Sequence, residues 1–365
     1  MLESTQIYLY RDKCVLCFDV KLVPFIELKN FPIKCILEKN EQLYKWNMKL
    51  GSCEICGSVQ QMNLLDPDIL YRGYSYNNQH SIIWKDHHEM LSKFIINNIT
   101  KDKPIIEIGS SFVSLVDKLI NDFKDYTIFD YSLDTIKNKL PYLKYIEGNC
   151  ETYMFPSKSV LVMSHVFEHL YNPKQFLENC ETNNVEDIII SIPNMNNNNL
   201  ITITREHTYT YNSADIEYLF NTYGYYLKKM NIQGDNFSIF YHFNRLPSSP
   251  LENRFLNPNK YLSTYTYFNK KYTVPQKSVI TTAGFWGQVL YNNITNKNDI
   301  IAVIDNDPIK QGKIFNGTEL TINKSLYLNN FGNDTTAIII KGFFWSDEVA
   351  STIRKHNKDI QIMYL

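Results

Sequence analysis

The stretch Lys103-Pro-Ile-Ile-Glu-Ile-Gly109-Ser-Ser-Phe-Val-Ser114 decides the fold of the central part of the chain. Residues 104–108 form a short, mostly apolar run typical of a buried strand. Apolar residues at helical spacing then follow over 112–123. A glycine between strand and helix lets the backbone approach a bound group closely, and a helix N-terminus favours an anion. The pattern predicts a strand–turn–helix unit of an α/β fold.

Predicted helices and strands continue to alternate on both sides of this unit. A helix is expected over 88–98, before the first strand. Further strands are predicted at 126–130, 159–164, 187–192, 278–282, 300–304, 337–340 and 360–364. Strands that alternate with helices indicate a parallel sheet covered on both faces, and the late strands indicate a second, smaller α/β domain of about four strands. Residues 1–70 are expected to be irregular with short strands, and residues 243–272 to form a linker or crossover.

Composition excludes several classes of protein. The 365 residues carry 37 basic and 38 acidic side chains, a net charge of −1, so no overall field attracts nucleic acid. No apolar run reaches the roughly 18 residues that a membrane span needs. The first residues lack the basic-then-apolar layout of a signal peptide, and we expect a cytoplasmic protein. The choice between monomer and homodimer stays open.

Four of the seven cysteines form two Cys-x-x-Cys pairs, Cys14-Val-Leu-Cys17 and Cys53-Glu-Ile-Cys56. Each pair can place two thiolates on one side of a tetrahedral zinc ion. Four cysteines leave no open position for water or substrate, so we expect a structural zinc rather than a catalytic one. The three remaining cysteines, Cys35, Cys150 and Cys180, are expected to be ordinary buried residues.

A nucleotide site is predicted around the central glycine. Asp130 ends the next strand, 21 positions after Gly109, where an acidic side chain can accept the hydroxyl groups of a ribose. Glu107, Gly109 and Ser110 would lie against the ligand, and Asn149-Cys150 is placed to border an adenine. The alternative is a packed strand–turn–helix without any ligand.

Several strings together resemble the S-adenosylmethionine (SAM)-dependent sugar C-methyltransferases that carry a zinc-binding N-terminal domain. The strings are Cys14-x-x-Cys17 with Cys53-x-x-Cys56-Gly57-x-x-Gln60, Tyr74-Ser-Tyr76-Asn-Asn-Gln-His80-Ser81, Ser164-His165-Val-Phe-Glu168-His169-Leu-Tyr-Asn-Pro173, Ser191-Ile-Pro193-Asn194, and Asp305-Asn-Asp307-Pro308-x-Lys310-Gln311-Gly312-Lys313. The resemblance implies a zinc domain over 1–70, a class I methyltransferase domain over 71–245 and a Rossmann-like domain over 246–365. It also implies SAM as cofactor, with Tyr76, Ser164 and His165 near it, and a nucleotide-linked sugar as substrate.

Methyl transfer from a sulfonium requires an aligned nucleophile and a group that removes its proton. Glu206-His207 follows a predicted strand end, on the side where α/β sheets bind ligands, and the resemblance points to the same pair. His207 is therefore the predicted base, supported by Glu206. His169 and His165 are weaker candidates, placed on one helix face by their spacing.

Two departures from the family keep other functions open. Ser111 and Val113 stand in the loop where glycines are usual, and Thr204 stands where the family often has tyrosine. C-methylation is the leading prediction, and sugar O-methylation is the alternative. A non-catalytic relative that has lost SAM binding is a further possibility. A dehydrogenase that uses Gly284 and Asp305 as a dinucleotide site is the most distant one.

Overall fold

The structure is a computed structural model. It describes residues 9–17, 20–38, 45–71, 82–110, 114–136, 140–195, 204–233, 237–245, 270–340 and 346–365. Tyr76, Ser111 and Val113 lie outside these ranges, as does most of the predicted linker. Within the described ranges, no helix combines the length and the apolar character that crossing a bilayer requires.

The N-terminal part, which we call the cysteine module, is built from six strands and one short helix. The elements are β1 (Leu9–Tyr10), β2 (Leu22–Pro32), β3 (Ile36–Leu37), β4 (Lys45–Cys53), β5 (Val59–Gln61), β6 (Asn63–Leu64) and α1 (Pro67–Tyr71). Strands β2, β4 and β5 form an antiparallel sheet. The expectation of an irregular segment was wrong. Two register shifts, after Pro24 and after Leu28, break the alternation by which an eleven-residue strand is recognised in sequence.

A seven-stranded sheet forms the centre of the molecule. Its strands are β7 (Ile105–Ile108), β8 (Tyr126–Asp130), β9 (Lys144–Glu147), β10 (Val160–Ser164), β11 (Asp187–Pro193), β12 (Tyr226–Ile232) and β13 (Ser238–Asn244). The spatial order is β12-β13-β11-β10-β7-β8-β9, and only β13 runs against the other six. The predicted α/β fold with a doubly wound, mostly parallel sheet is confirmed. Phe243, expected in the linker, lies instead in β13.

Both faces of this sheet are covered, as predicted. Successive residues of β10 alternate between two hydrophobic clusters: Leu161 and Met163 belong to one, Val160 and Val162 to the other. Helices α4 (Pro173–Thr182) and α5 (Ser213–Thr222) contribute to the first cluster, and α2 (Ile82–Asn98) to the second. This alternation is the geometric consequence of a strand period of two residues.

Two helix predictions need correction. Helix α2 begins at Ile82, six residues before the predicted start, because the polar run Asp86-His87-His88 conceals a helix whose His87 is buried. Of the helix predicted over 112–123, only α3 (Val116–Leu119) is helical among the described residues. The following Asn121 and Asp122 have side chains that compete for backbone hydrogen bonds and favour turns.

The C-terminal unit is a second parallel sheet of five strands, one more than predicted, in the order β17-β15-β14-β18-β19. The elements are β14 (Ser278–Ile280), α6 (Phe285–Asn293), β15 (Ile300–Ile304), β16 (Ile314–Phe315), β17 (Ile322–Asn323), β18 (Thr336–Ile339), α7 (Ser346–His356) and β19 (Gln361–Tyr364). Strand β16 instead pairs with β3 of the cysteine module. Backbone hydrogen bonds therefore join the cysteine module to the C-terminal unit.

Gly287 in the first turn of α6 is required by close packing. A Cβ at this position would lie 1.9 Å from the Thr282 carbonyl oxygen, whereas a Cβ on Gly284 would lie 3.7 Å from its nearest neighbour. We expect Gly287→Ala to lower the free energy of unfolding by about 2 kcal/mol, although alanine is the better helix former. The control Gly284→Ala should change it by less than about 0.5 kcal/mol. Urea denaturation of both variants checks this, and equal stabilities would contradict it.

Candidate functional site

The two cysteine pairs come together in the cysteine module. The sulfur atoms of Cys14, Cys17, Cys53 and Cys56 all lie within 4.8 Å of one another, and those of Cys14 and Cys56 are 3.7 Å apart. Zinc–sulfur bonds of about 2.3 Å in a tetrahedron require sulfurs about 3.8 Å apart. The cluster therefore fits a tetrahedral metal, and its four ligands leave no open position.

Neighbouring groups support thiolates in this cluster. The backbone N–H groups of Leu16 and Cys17 donate to the Cys14 sulfur, and the Gln60 side-chain amide donates to it at 3.0 Å. Hydrogen bonds among the four thiols hold the pKa of Cys53 below its usual range and raise the pKa values of Cys14 and Cys56. Donors of this kind orient metal ligands and stabilise their charge.

The predicted cofactor residues that the structure describes lie at the carboxyl ends of β7, β8, β9 and β10. Gly109 has φ +79°, and a Cβ there would lie 2.4 Å from the Val166 side chain, so both backbone conformation and space require glycine. Glu107 is buried below this turn and accepts a hydrogen bond of 2.7 Å from the Tyr126 hydroxyl. Burial raises the pKa of Glu107 to about 7.

Asp130 lies beside this turn at the end of β8. Its carboxylate accepts the backbone N–H of Ser132 at 3.2 Å, and burial raises its pKa to about 6. Gly109, Ser110, Asp130, Asn149 and Cys150 line a common cavity of about 1220 Å³. Cys150, expected to be buried and also to border an adenine, lies on the wall of this cavity and is only partly buried.

Ser164 and His165, at the end of β10, join a cluster of imidazole and aromatic side chains. The His87 imidazole is hydrogen-bonded to Ser164 and to Gln233, at 3.1 and 3.0 Å. The ring of His165 stacks on Phe237 and meets the edge of Trp84. Trp84 and Phe237 also line the cavity, but no motif singled them out, because isolated aromatic residues carry no sequence signature.

The spacing-based placement of His165 and His169 on one helix face was wrong. His165 has φ +54°, and a short 3₁₀ turn, Phe167–His169, follows it. His169 instead faces His207, with ring centroids 5.2 Å apart. A non-glycine residue with positive φ is costly and is typical of functional sites.

Glu168 is a further candidate residue of this site, to which the sequence patterns assigned no role. Its side chain is fully buried, 3.3 Å from the His165 Nδ1 atom and 3.9 Å from the His207 Nε2 atom. Burial raises the pKa of Glu168 to about 7 and lowers that of His165 to about 3. Glu168, His169 and His207 each offer a ligand atom within 4.8 Å of the others, so this group can share a proton or hold a cation.

The predicted catalytic pair lies on the same cavity. Glu206, His207 and His169 all line it, and burial raises the pKa of Glu206. The Thr204 hydroxyl accepts the backbone N–H groups of Glu206 and His207 at 3.2 and 3.1 Å. Thr204, which stands where the sugar C-methyltransferases that the sequence resembles often have tyrosine, therefore shapes the turn that carries the pair.

The C-terminal unit closes part of the cavity with Thr282, Gly284, Asp305 and Lys310. The Asp305 carboxylate accepts the backbone N–H groups of Ala283 and Asp307 and the Lys310 ammonium, at 2.9, 3.0 and 2.9 Å. A carboxylate that already accepts three hydrogen bonds is poorly placed to bind a ribose, which disfavours a dinucleotide site here.

Comparison with known proteins gave similarity to solved structures only. No family model matches the sequence, and no curated protein matches it. The similar structures include a methyltransferase of Haloferax volcanii in complex with the activator Trm112, with 10% identity, a TM-score of 0.39, and coverage of 46% of this chain and 94% of that one. Magnesium protoporphyrin IX methyltransferase of Synechocystis with bound S-adenosylhomocysteine has 12% identity, a TM-score of 0.38, and coverage of 47% and 90%. An S-adenosylmethionine-dependent methyltransferase of Clostridium acetobutylicum has 10% identity, a TM-score of 0.36, and coverage of 49% and 95%.

The geometry of the cysteine cluster predicts one tightly held zinc ion per chain. We expect Cys53→Ser to remove this ion and to destabilise the protein by about 3 kcal/mol or more, because the metal site cross-links two loops of the module. Metal analysis and thermal unfolding measure both effects. The control Cys35→Ala changes a buried cysteine outside the cluster and should retain zinc. Full zinc content in Cys53→Ser would contradict the assignment.

Proposed function

We propose that the protein is a SAM-dependent methyltransferase that acts on a nucleotide-linked sugar, with a structural zinc ion in the cysteine module. The observation that carries the proposal is one cavity that Gly109, Asp130 and His207 line together. Its volume of about 1220 Å³ exceeds the roughly 300–1,000 Å³ of a site for one small ligand. The cavity thus has room for a cofactor and a substrate.

The cofactor assignment rests on the edge formed by β7 and β8. The tight turn at Gly109 lets the methionine part of SAM approach the backbone, and the Asp130 carboxylate is placed to accept the ribose hydroxyl groups. Asn149 and Cys150 would border the adenine. The glycine-poor loop after Ser110 leaves one alternative, a protein that keeps this fold without binding SAM.

We assign the removal of a substrate proton to the part of the cavity that His207 lines. An imidazole side chain is a suitable acceptor for the proton that the substrate loses. The His207 Nε2 atom lies 3.9 Å from the buried carboxyl group of Glu168. In C-methylation, His207 would take the proton next to a sugar ketone, and the enolate carbon would attack the methyl group. In O-methylation, the same imidazole would take a hydroxyl proton.

The substrate class is supported by the wall that the C-terminal unit adds. Phe285 and Trp286 line the cavity beside polar residues such as Asn306 and Lys310. A mixed aromatic and polar lining suits a base together with a phosphorylated sugar. The resemblance to sugar C-methyltransferases favours C-methylation, and a cytoplasmic location remains a prediction.

The cofactor site predicts a pH-dependent affinity for SAM. The ribose hydroxyl groups need an ionised Asp130, whose pKa of about 6 lies above its usual range. Calorimetric titration should therefore show SAM affinity falling roughly tenfold between pH 7 and pH 5. Asp130→Asn should weaken binding at pH 7 by about tenfold or more, because hydrogen bonds to a charged acceptor are lost.

Two controls belong to this titration. Glu107→Gln removes one other titrating carboxyl group of the site, and the pH dependence should persist in this variant but be lost in Asp130→Asn. S-adenosylhomocysteine should give the same profile, because it carries the same ribose. If neither ligand binds to folded, zinc-loaded protein, the methyltransferase proposal fails and a non-catalytic role is favoured.

The base assignment predicts loss of turnover without loss of cofactor. We expect His207→Asn to lower kcat on a keto-sugar nucleotide by about 100-fold or more, with SAM affinity unchanged. The control His356→Asn, at the end of α7, should retain full activity. Deuterium exchange next to the substrate ketone separates the reactions: exchange in the native protein indicates C-methylation, and methyl transfer without exchange indicates O-methylation.

A further inference from the structure

The segment that carries Glu206 and His207 is paired with the cysteine module. The backbone N–H of Gln61 donates to the Thr208 carbonyl, and the N–H of Thr210 donates to the Val59 carbonyl, both at 2.9 Å. Gln60 and Tyr209 form an antiparallel bridge between these two bonds. Residues 208–210 thus extend the sheet of β2, β4 and β5 by one strand, although more than 140 positions separate them from β5.

The Gln61 side chain holds the turn just before this strand. Its amide nitrogen donates to the carbonyl oxygens of Thr204, Arg205 and His207, at 2.5, 3.2 and 3.0 Å. The side chain is 1% exposed, so no water replaces these bonds if the amide is lost. The turn is therefore fixed through its carbonyl groups by Gln61 and through its N–H groups by Thr204.

Two arginines form further hydrogen bonds between the cysteine module and residues 204–210. The buried Arg11 guanidinium donates to the carbonyl oxygens of Thr208 and Tyr171, at 2.9 and 2.7 Å. The Arg205 guanidinium donates to the Ile33 carbonyl in the module. Gln60, next to Gln61, donates to the Cys14 sulfur at 3.0 Å. The chain of contacts runs from the cysteine cluster to the backbone of the catalytic pair.

We propose that Gln61 is the positioning residue of the Glu206–His207 pair, and that the cysteine module serves as the rigid support for this pair. The inference rests on the proposed function of His207. A base must stay within hydrogen-bond distance of the proton that it removes, and a displacement of about 1 Å can cost about 100-fold in rate. The SAM residues follow β7 and β8 and do not touch Gln61, so cofactor binding should not depend on it.

The test replaces Gln61 by methionine, which keeps the unbranched shape and removes the amide donors. We expect Gln61→Met to lower kcat by about 10- to 100-fold, with zinc content and SAM affinity unchanged and KM for the sugar nucleotide within about threefold. The matched control is Asn63→Leu. Asn63 is also buried in the module, but its amide donates to the Asn47 carbonyl and not to the catalytic segment. This variant should retain kcat.

A readout without turnover keeps the two proposals separable. The His207 imidazole can be followed by NMR through a pH titration, with its signal assigned from His207→Asn. We expect its chemical shift to change in Gln61→Met and not in Asn63→Leu. If the native protein methylates no sugar nucleotide, the proposed function fails, and this comparison still decides the role of Gln61.

The outcomes are distinct. Unchanged kcat and an unchanged His207 signal in Gln61→Met overturn the proposal. A parallel loss of zinc, SAM affinity and kcat also overturns it, because Gln61 would then act on the whole fold. If the methionine variant does not fold, Gln61→Asn takes its place. This side chain keeps the amide but is one methylene too short for all three carbonyls, and the same lowered kcat and shifted signal are expected.

Discussion

Parallel pairing of β7 with β8 and with β10 is the interaction on which the arrangement of the site depends. Because these strands point the same way, their carboxyl ends meet at one edge of the sheet. Gly109, Asp130 and Ser164 are thereby brought to the wall of one cavity, although up to 55 positions separate them in the chain. The cofactor part of the proposed site follows from this pairing alone.

The catalytic part of the site depends on a different kind of contact. Residues 204–210 precede α5 and belong to no strand of the central sheet. Backbone hydrogen bonds of Thr208 and Thr210 join them to β5 of the cysteine module, and the Thr208 N–H donates to the Glu168 carbonyl. The four-cysteine cluster brings two loops of that module together, and a metal bound there would make the small sheet more rigid. A metal site with no open position can thus matter for catalysis without touching the substrate.

The cavity concentrates groups whose charge is costly to bury. Glu107, Glu168 and Asp130 all have raised pKa values, and burial is the main cause for each. Burial also lowers the pKa of His165 and of His169. Glu168, whose pKa is raised to about 7, can gain or lose a proton near neutrality and is suited to proton transfer, whereas burial keeps His165 and His169 neutral.

Local sequence patterns were sufficient to predict part of this structure. The strands 126–130 and 300–304, the glycine turn at Gly109 and the two cysteine pairs were identified from sequence, because each is encoded by residues close together in the chain. The eleven-residue β2 was missed, since its register shifts hide the alternation of buried residues. The helix expected over 112–123 was too long, because the spacing of apolar residues does not reveal the turn at Asn121-Asp122.

The amino-acid sequence by itself determined the class of fold, the metal ligands and the strand ends where a cofactor can bind. Only the tertiary structure decided that Glu168 lies between His165 and His207, that the Gln61 amide donates to three carbonyl groups of the turn 204–207, and that the C-terminal unit helps to line the cavity. The physical reason is that periodicity and short motifs reflect interactions between residues that are close together in the chain. Contacts between Gln61 and His207, 146 positions apart, are set by the packing of whole elements.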